Sequence, residues 1–451
     1  MQLLADRAPE KSALFEKHLN AQLVRVLKTI GFDVDYVRGE GAYLFDAAGN
    51  RYLDLLSGWG VFAVGRNHPT VRAALRQVLD AGLPGLVQMD VSLLAGLLAE
   101  QLLAHVPWLE KTFFCNSGAE AVEAAIKFAR AATRRSRIVY CEHAFHGLTY
   151  GALSLTGDAA FRGGFEPLLP RCVAVPFDDL EALEAALREG DVAAVVIEPI
   201  QGKGVNLPSD GYLPAVQALC RRYDAVFVAD EIQTGMGRTG RFLASEHWGL
   251  EPDIVLLSKA LSGGFVPVGA VVMRRWIFDK VFDRMDRAVV HGSTFAKNDL
   301  AMAAGLAALA VMRDERLVEN AATRGERLIE GLRRRLLGRA FVKDVRGKGL
   351  MIAVELGPPD GIRLKAAYVA LDKARRGLFA QLLLIPLLRR QRLLAQVAGH
   401  DLPVIKLLPS LVITDSDADW IEGAFEQVLS ESESLGEIWD LGRTLVSHAL
   451  R

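Results

Sequence analysis

Between residues 111 and 273 the chain alternates short, β-branched apolar runs with longer stretches of helical period, and no other feature limits its fold as tightly. "KTFFCN", "RIVYCE", "CVAVPF", "VAAVVIEP", "AVFVAD", "DIVLLSK" and "GAVVM" read as strands. Between them, "SGAEAVEAAIKFARAAT", "LEALEAALREG" and "LPAVQALCRRYD" read as helices. Strands this apolar need helices on both faces, so the pattern implies an α/β fold with a mostly parallel sheet. In such sheets ligands collect outside the carboxyl ends of the strands.

Polar residues stand at those ends. Glu198 closes "AVVIEP", Asp230 closes "AVFVAD", Lys259 closes "DIVLLSK", and Asn116-Ser117-Gly118 follows "KTFFC". A lysine after Ile254-Val255-Leu256-Leu257 loses solvation, which lowers its pKa and frees the amine as base or Schiff-base nucleophile; alternatively its stem packs and its ammonium reaches water. Ser117, Gly118 and Ala119 open an amphipathic helix whose unpaired amides suit a phosphate, or else form a plain N-cap. A buried Asp230 needs a cation, either a protonated pyridine nitrogen or an arginine such as Arg238. Together the cup, the carboxylate and the lysine match the phosphate, ring nitrogen and aldehyde of pyridoxal phosphate.

The rest of the sequence bounds this reading. With 451 residues, 51% hydrophobic content and a formal net charge of -1, the chain reads as a soluble globular protein of two or three domains with no bias toward nucleic acid. The opening residues mix both charge signs without an apolar core behind a basic region, so no secretory signal is expected and the cytoplasm is the default location. Cys115, Cys141, Cys172 and Cys220 lack metal-ligand or CxxC spacing and read as reduced core residues. No metal site is expected. The apolar block "LFAQLLLIPLL" is too short to span a bilayer.

"NSGAEAVEAAIKFAR", "AFHGLTYGALSLTG", "IEPIQGKG", "DEIQTGMGRTGRF", "PDIVLLSKALSGG" and "HGSTFAKNDLAMAAGLAAL" occur in this order. The chain thereby resembles the class III pyridoxal-phosphate-dependent aminotransferases of fold type I, from "GAYLFDAAGNRYLDLLSG" to "KLLPSLVIT". The resemblance implies that Lys259 holds the cofactor aldehyde and shuttles the substrate proton, while Asp230 keeps the pyridine nitrogen protonated. It places Gln233 near the ring hydroxyl, Ile232 and Phe145 on opposite ring faces, and Ser117, Gly118 and Ala119 around the phosphate. Ser293 and Thr294 would reach the phosphate from a neighbouring subunit, which implies a homodimer with shared sites. Glu198 matches a glutamate beside cofactor and substrate.

Two departures bear on substrate. Where relatives acting on ω-amino acids carry an arginine after "FHG", this chain has Leu148. The family's "RLLP" arginine is Lys406, a point charge in place of a fork, here expected to lie near Glu198 and able to pair with it. The amino donor is therefore expected to have an apolar far end lying toward Leu148, Trp59 and the Leu378 to Leu388 block, with Phe62 as a further candidate. That block and the following Arg389, Arg390, Arg392 and His400 read either as extra core with a solvated basic face, or as a lid or tunnel touching membrane or a carrier protein. His68 and His146 read as structural.

The expected architecture is a large cofactor-binding domain over residues 70–325 and a smaller α/β domain formed by residues 1–69 and 326–451. The expected reaction moves an amino group from an amine donor to an oxo-acid or aldehyde acceptor. Racemase, aminomutase or decarboxylase chemistry, an ornithine-type aminotransferase, and a catalytically silent scaffold stand as alternatives.

Overall fold

The computed structural model describes residues 2–87 and 90–434. All seven expected strands form one sheet, in the order Lys111–Cys115, Gly269–Met273, Ile254–Leu257, Val226–Asp230, Val192–Ile197, Arg137–Cys141, Cys172–Val175. The last five pair in parallel. Gly269–Met273 runs antiparallel to both neighbours, so Lys111–Cys115 points the same way as the other strands.

Period-two alternation explains why the sheet is covered twice. Ala194 and Val196 face the layer that holds the Gly118–Thr133 helix, whereas Val195 and Ile197 face Leu183, Leu213 and Val216. Every residue of Val192–Ile197 and Val226–Asp230 is buried. The helix contributes Val122, Ala125, Ile126 and Ala129 at helical spacing, all within the same apolar cluster.

Two smaller sheets flank this layer. Val342–Lys348, Met351–Leu356, Val404–Leu407 and Gln396–Val397 form an antiparallel sheet. Tyr36–Glu40, Tyr43–Asp46 and Arg51–Asp54 form the other, and Leu393–Leu394 joins its edge in parallel. Early and late segments of the chain thus share one sheet.

The Leu378 to Leu388 block corrects one expectation. It forms the Leu378–Arg389 helix, nine of whose twelve residues are buried. Phe379 packs on Phe341 at 4.5 Å between ring centroids, and Leu388 clusters with Leu44, Tyr52 and Leu394. Its apolar surface is consumed by the core, so it is neither lid nor substrate tunnel. Arg389 pairs with Asp33, and Arg390 with Glu431 at 3.0 Å. Among the described residues no helix is long and apolar enough to cross a membrane. Cys115, Cys141 and Cys220 are buried, Cys172 is half-buried, and all four are free thiols.

Gly325, on the Leu317–Leu336 helix, lets that helix approach the backbone of the turn at Gly349; a Cβ at Gly325 would lie 2.2 Å from the Gly349 carbonyl carbon. Backbone cannot rotate aside as a side chain can. Gly325→Ala is expected to destabilise the fold by about 1–3 kcal/mol, seen as a lower denaturant midpoint. A midpoint equal to the parent's would show that the two elements separate freely.

Candidate active site

Parallel strands bring their carboxyl ends to one rim, and the site assembles there. Ser117 caps the 16-residue Gly118–Thr133 helix, its hydroxyl accepting from Glu120 N at 3.1 Å. Glu120 in turn accepts from Asn116 N at 2.6 Å. The first amides of the helix, those of Gly118 and Ala119, have no intrahelical acceptor and carry the positive end of its dipole. Both residues are only half-buried, as an anion cup requires. A side chain at Gly118 would meet Ile232 at 2.9 Å, so the cup and Ile232 are in contact. Gly147 closes the cup's flank at φ +127°, a conformation few L-residues adopt, and a Cβ there would lie 2.8 Å from that of Ala119.

Asp230 is 3% exposed. One oxygen accepts from Ile232 N at 3.1 Å, and the other contacts His146 Nδ1 at 2.6 Å. The residue expected to be merely structural is thus the aspartate's partner. Arg238, the alternative cation, donates instead to the carbonyls of Leu350 and Pro409. Burial would lower the His146 pKa, but the hydrogen bond and charge of Asp230 reverse this and raise it above an ordinary imidazole's. Its Nε2 is buried without a partner among the described residues. The adjacent Glu231 turns away, held by Ser245 and Ala244.

Lys259 follows the Ile254–Leu257 strand in the left-handed region, at φ +33°. Such a backbone costs about 1–3 kcal/mol and is kept only where the surroundings enforce it. Part of the residue is open to solvent, yet protein atoms surround the amine densely. Desolvation lowers its pKa, against the opposing charges of Asp230 and Glu198.

Glu198 is 5% exposed, and its two oxygens accept from Phe145 N at 3.0 Å and Gly202 N at 2.8 Å. Its carboxyl is pushed up, chiefly by burial. The expected pairing with Lys406 does not form. Lys406 Nζ donates instead to the Gly202 carbonyl at 2.6 Å and to Gln233 Oε1 at 3.3 Å. Gln233 also donates to the Trp59 carbonyl at 3.1 Å.

Trp59 sits in a left-handed run, Ser57 to Gly60, with φ between 45° and 93°. Asp54 anchors the run by accepting from Leu56 N and Ser57 N at 2.9 and 2.8 Å. Arg66 neutralises Asp54 at 2.7 Å and lies over the Phe62 ring, which packs against Gly264 beyond Lys259. The Trp59 side chain is 60% exposed and that of Leu148 55%, so neither is core. Ser293 accepts from Asn116 at 2.6 Å, which puts Ser293 beside the cup of its own chain. His68 pairs with Glu315 at the surface, away from this cluster.

One wall was not expected. Phe145 meets Phe161 edge-on at 5.4 Å, Phe161 meets His400 at 4.8 Å, and Lys203 stands 5.3 Å from the Phe161 ring. Asp158 holds Lys203 and contacts His400 Nδ1 at 3.3 Å. The sequence signals were position alone: Lys203 lies within "IEPIQGKG" and Phe161 four residues beyond "AFHGLTYGALSLTG".

A cup of helix amides, a buried carboxylate and a desolvated lysine around one rim fit the three ends of pyridoxal phosphate. The sequence comparisons agree. The class-III aminotransferase family model matches residues 28–429, and the chain belongs to that family. It is 34% identical over 450 residues to aminotransferase PigE of a Serratia species, covering 92% of this chain and 53% of PigE. The chain therefore spans about half the length of that curated relative. Ornithine aminotransferase from Toxoplasma gondii superposes with a TM-score of 0.79 at 32% identity, over 89% of this chain and 91% of that one. A PLP-bound amine transaminase from an uncultivated Pseudomonas species gives 0.77 at 30% identity, over 88% and 95%.

His146 supplies the hydrogen bond that orients Asp230. His146→Leu should lower turnover by about 10-fold to 100-fold, as loss of such supporting partners commonly does, and should lower stability by about 3–5 kcal/mol because Asp230 loses its match. Turnover within two-fold of the parent would remove His146 from the site's machinery.

Proposed function

We propose that the chain is a pyridoxal-phosphate-dependent transaminase, moving an amino group from a primary amine with an apolar far end to an oxo-acid or aldehyde acceptor. The observation that carries this reading is the lowered Lys259 amine facing the buried Asp230 beside an open helix start. When bound, the cofactor supplies an electron sink for the carbanion formed at the substrate carbon.

The chain's residues supply the rest. The Ser117, Gly118 and Ala119 amides bind the phosphate, and Asp230 holds positive charge on the ring nitrogen, itself oriented by His146. Ile232 and Phe145 confine the ring between them, and Gln233 stands toward its hydroxyl. Lys259, neutral over a wider pH range than an exposed lysine, takes a proton from one substrate atom and returns it to another. Glu198 fixes the Phe145 and Gly202 backbones.

Substrate preference follows from the rim. Leu148 and Trp59 offer apolar surface, and no arginine occupies either position where carboxylate recognition was sought. With the Leu378–Arg389 helix in the core, the apolar wall falls to Trp59, Leu148, Phe145 and Phe161. A homodimer is part of the proposal. Val91, Leu93, Met285 and Val289 are each more than three-quarters exposed, the last two a few residues before Ser293. A second copy would cover them and bring its own Ser293 and Thr294 to the facing site. Cytoplasmic location belongs to the same reading.

Two measurements test it. Lys259→Ala should stay folded and lose at least about 1000-fold in turnover, because the proton transfer has no other base at that atom; multiple turnover near the parent rate would reject the assignment. Across a series of terminal amines with one acceptor, each added methylene should raise kcat/KM by up to about four-fold, from about 0.8 kcal/mol of burial, until the pocket fills. A preference for the matching ω-amino acids would overturn the apolar-end reading, and products without net amino transfer would point to another pyridoxal-phosphate reaction.

A further inference from the structure

Leu148 lies between two differently anchored halves of one loop. On its upstream side Glu198 accepts from Phe145 N at 3.0 Å, and Thr156 Oγ1 accepts from His146 N at 3.3 Å while donating to the Gly147 carbonyl at 3.0 Å. On its downstream side one carboxylate oxygen holds three groups. Glu123 Oε1 accepts from Thr149 Oγ1 at 2.6 Å, from Gly151 N at 2.8 Å and from Ala152 N at 3.2 Å.

Those two amides belong to the first turn of the Tyr150–Ser154 helix, which offers them no intrahelical acceptor. Thr149, the residue before it, makes no capping bond with its own side chain, so a carboxylate from another helix takes that place. Gly151 and Ala152 are buried, and water is a poor substitute for the acceptor there. Glu123 stands four residues after Ala119 on the Gly118–Thr133 helix, on the same face one turn further along. Ala119 packs against Gly147, and a Cβ at Gly151 would collide with the Glu123 carboxylate. The loop is therefore pinned to the cup helix on both sides of Leu148. Leu148 itself is 55% exposed and has little packing of its own to hold it.

We propose that Glu123 is a positioning residue for donor selection: by capping the Tyr150–Ser154 helix it fixes how far Leu148 reaches over the rim, and so how the donor's apolar far end is received. This rests on the reading of Leu148 as part of the donor wall. Glu123 acts through the loop and touches neither donor nor cofactor. Phe145 and His146 keep their own anchors in Glu198, Thr156 and Asp230, so ring contact and donor selection separate at Leu148.

The test compares holoenzymes of the parent, Glu123→Leu, Glu123→Gln and Leu148→Ala across the series of terminal amines with one acceptor. In Glu123→Leu, kcat for the shortest amine should stay within about three-fold of the parent, while the gain in kcat/KM per methylene falls from up to about four-fold to below about two-fold. Glu123→Gln keeps an acceptor oxygen of the same reach and should restore most of the gain. Exchange of the Gly151 and Ala152 amides should quicken at least about ten-fold in Glu123→Leu, with those of Phe145 and His146 unchanged. In a Leu148→Ala background, Glu123→Leu should flatten the series no further, because both act through one side chain. Should Glu123→Leu yield no folded holoenzyme, Glu123→Asp carries the same test, since it keeps the charge and withdraws the acceptor by one methylene. An equal loss for every amine, or unaltered amide exchange, would overturn the proposal. A gain lost in Leu148→Ala but kept in the Glu123 variants overturns this inference alone, whereas a parent without any gain overturns the apolar-end reading and this inference with it.

Discussion

A carboxylate taken almost entirely out of water at the end of a parallel strand is the constraint around which this molecule is arranged. Asp230 is 3% exposed, and leaving such a group unmatched would cost several kcal/mol. The match comes from His146, whose loop is held in turn by Glu198 through Phe145 N and by Thr156 through His146 N. The same loop packs Gly147 onto the helix start that forms the cup. One buried charge therefore fixes the spacing of the aromatic ring, the anion site and the lysine opposite.

How much of this could be read beforehand depended on the range of the interaction. The seven strands were legible because a strand covered on both faces carries its burial in its own composition, as in "VAAVVIEP" and "AVFVAD". Asp230, Lys259 and Ser117 were legible because each ends a strand or starts a helix that the local pattern defines. His146 was not. Its partner lies 84 residues away, and a histidine beside a phenylalanine and a glycine carries no local mark of what it will face. Lys406 was found, but with the wrong partner, since which carbonyl an amine reaches 204 residues away is set by packing. The Leu378 to Leu388 block was ambiguous for another reason: an unbroken apolar run suits a core helix and a greasy channel equally, and only its neighbours decide.

The electrostatics of the rim are unusual for a site expected to handle small polar molecules. Lys203 and Lys259 both act on the charge of Lys406, and among the described residues Lys203 alone of the three has a carboxylate within ion-pair distance. Glu198, whose charge acts on both of the others, accepts from two backbone amides. Burial lowers the pKa of both Lys259 and Lys406, and for Lys406 the charges of Lys259 and Lys203 lower it further.

The left-handed run from Ser57 to Gly60 carries a further implication. Ser57 and Trp59 are L-residues held where each costs about 1–2 kcal/mol, and glycine at either position would relieve that cost. The sequence nevertheless retains an indole that is mostly open to solvent, on a turn tied to Gln233 by its carbonyl. A search for thermostability alone would discard Trp59 early, and a variant library ranked by melting temperature would drift away from the residue proposed to border the substrate. In this chain, then, the least comfortable stretch of backbone marks where durability and selectivity pull in opposite directions.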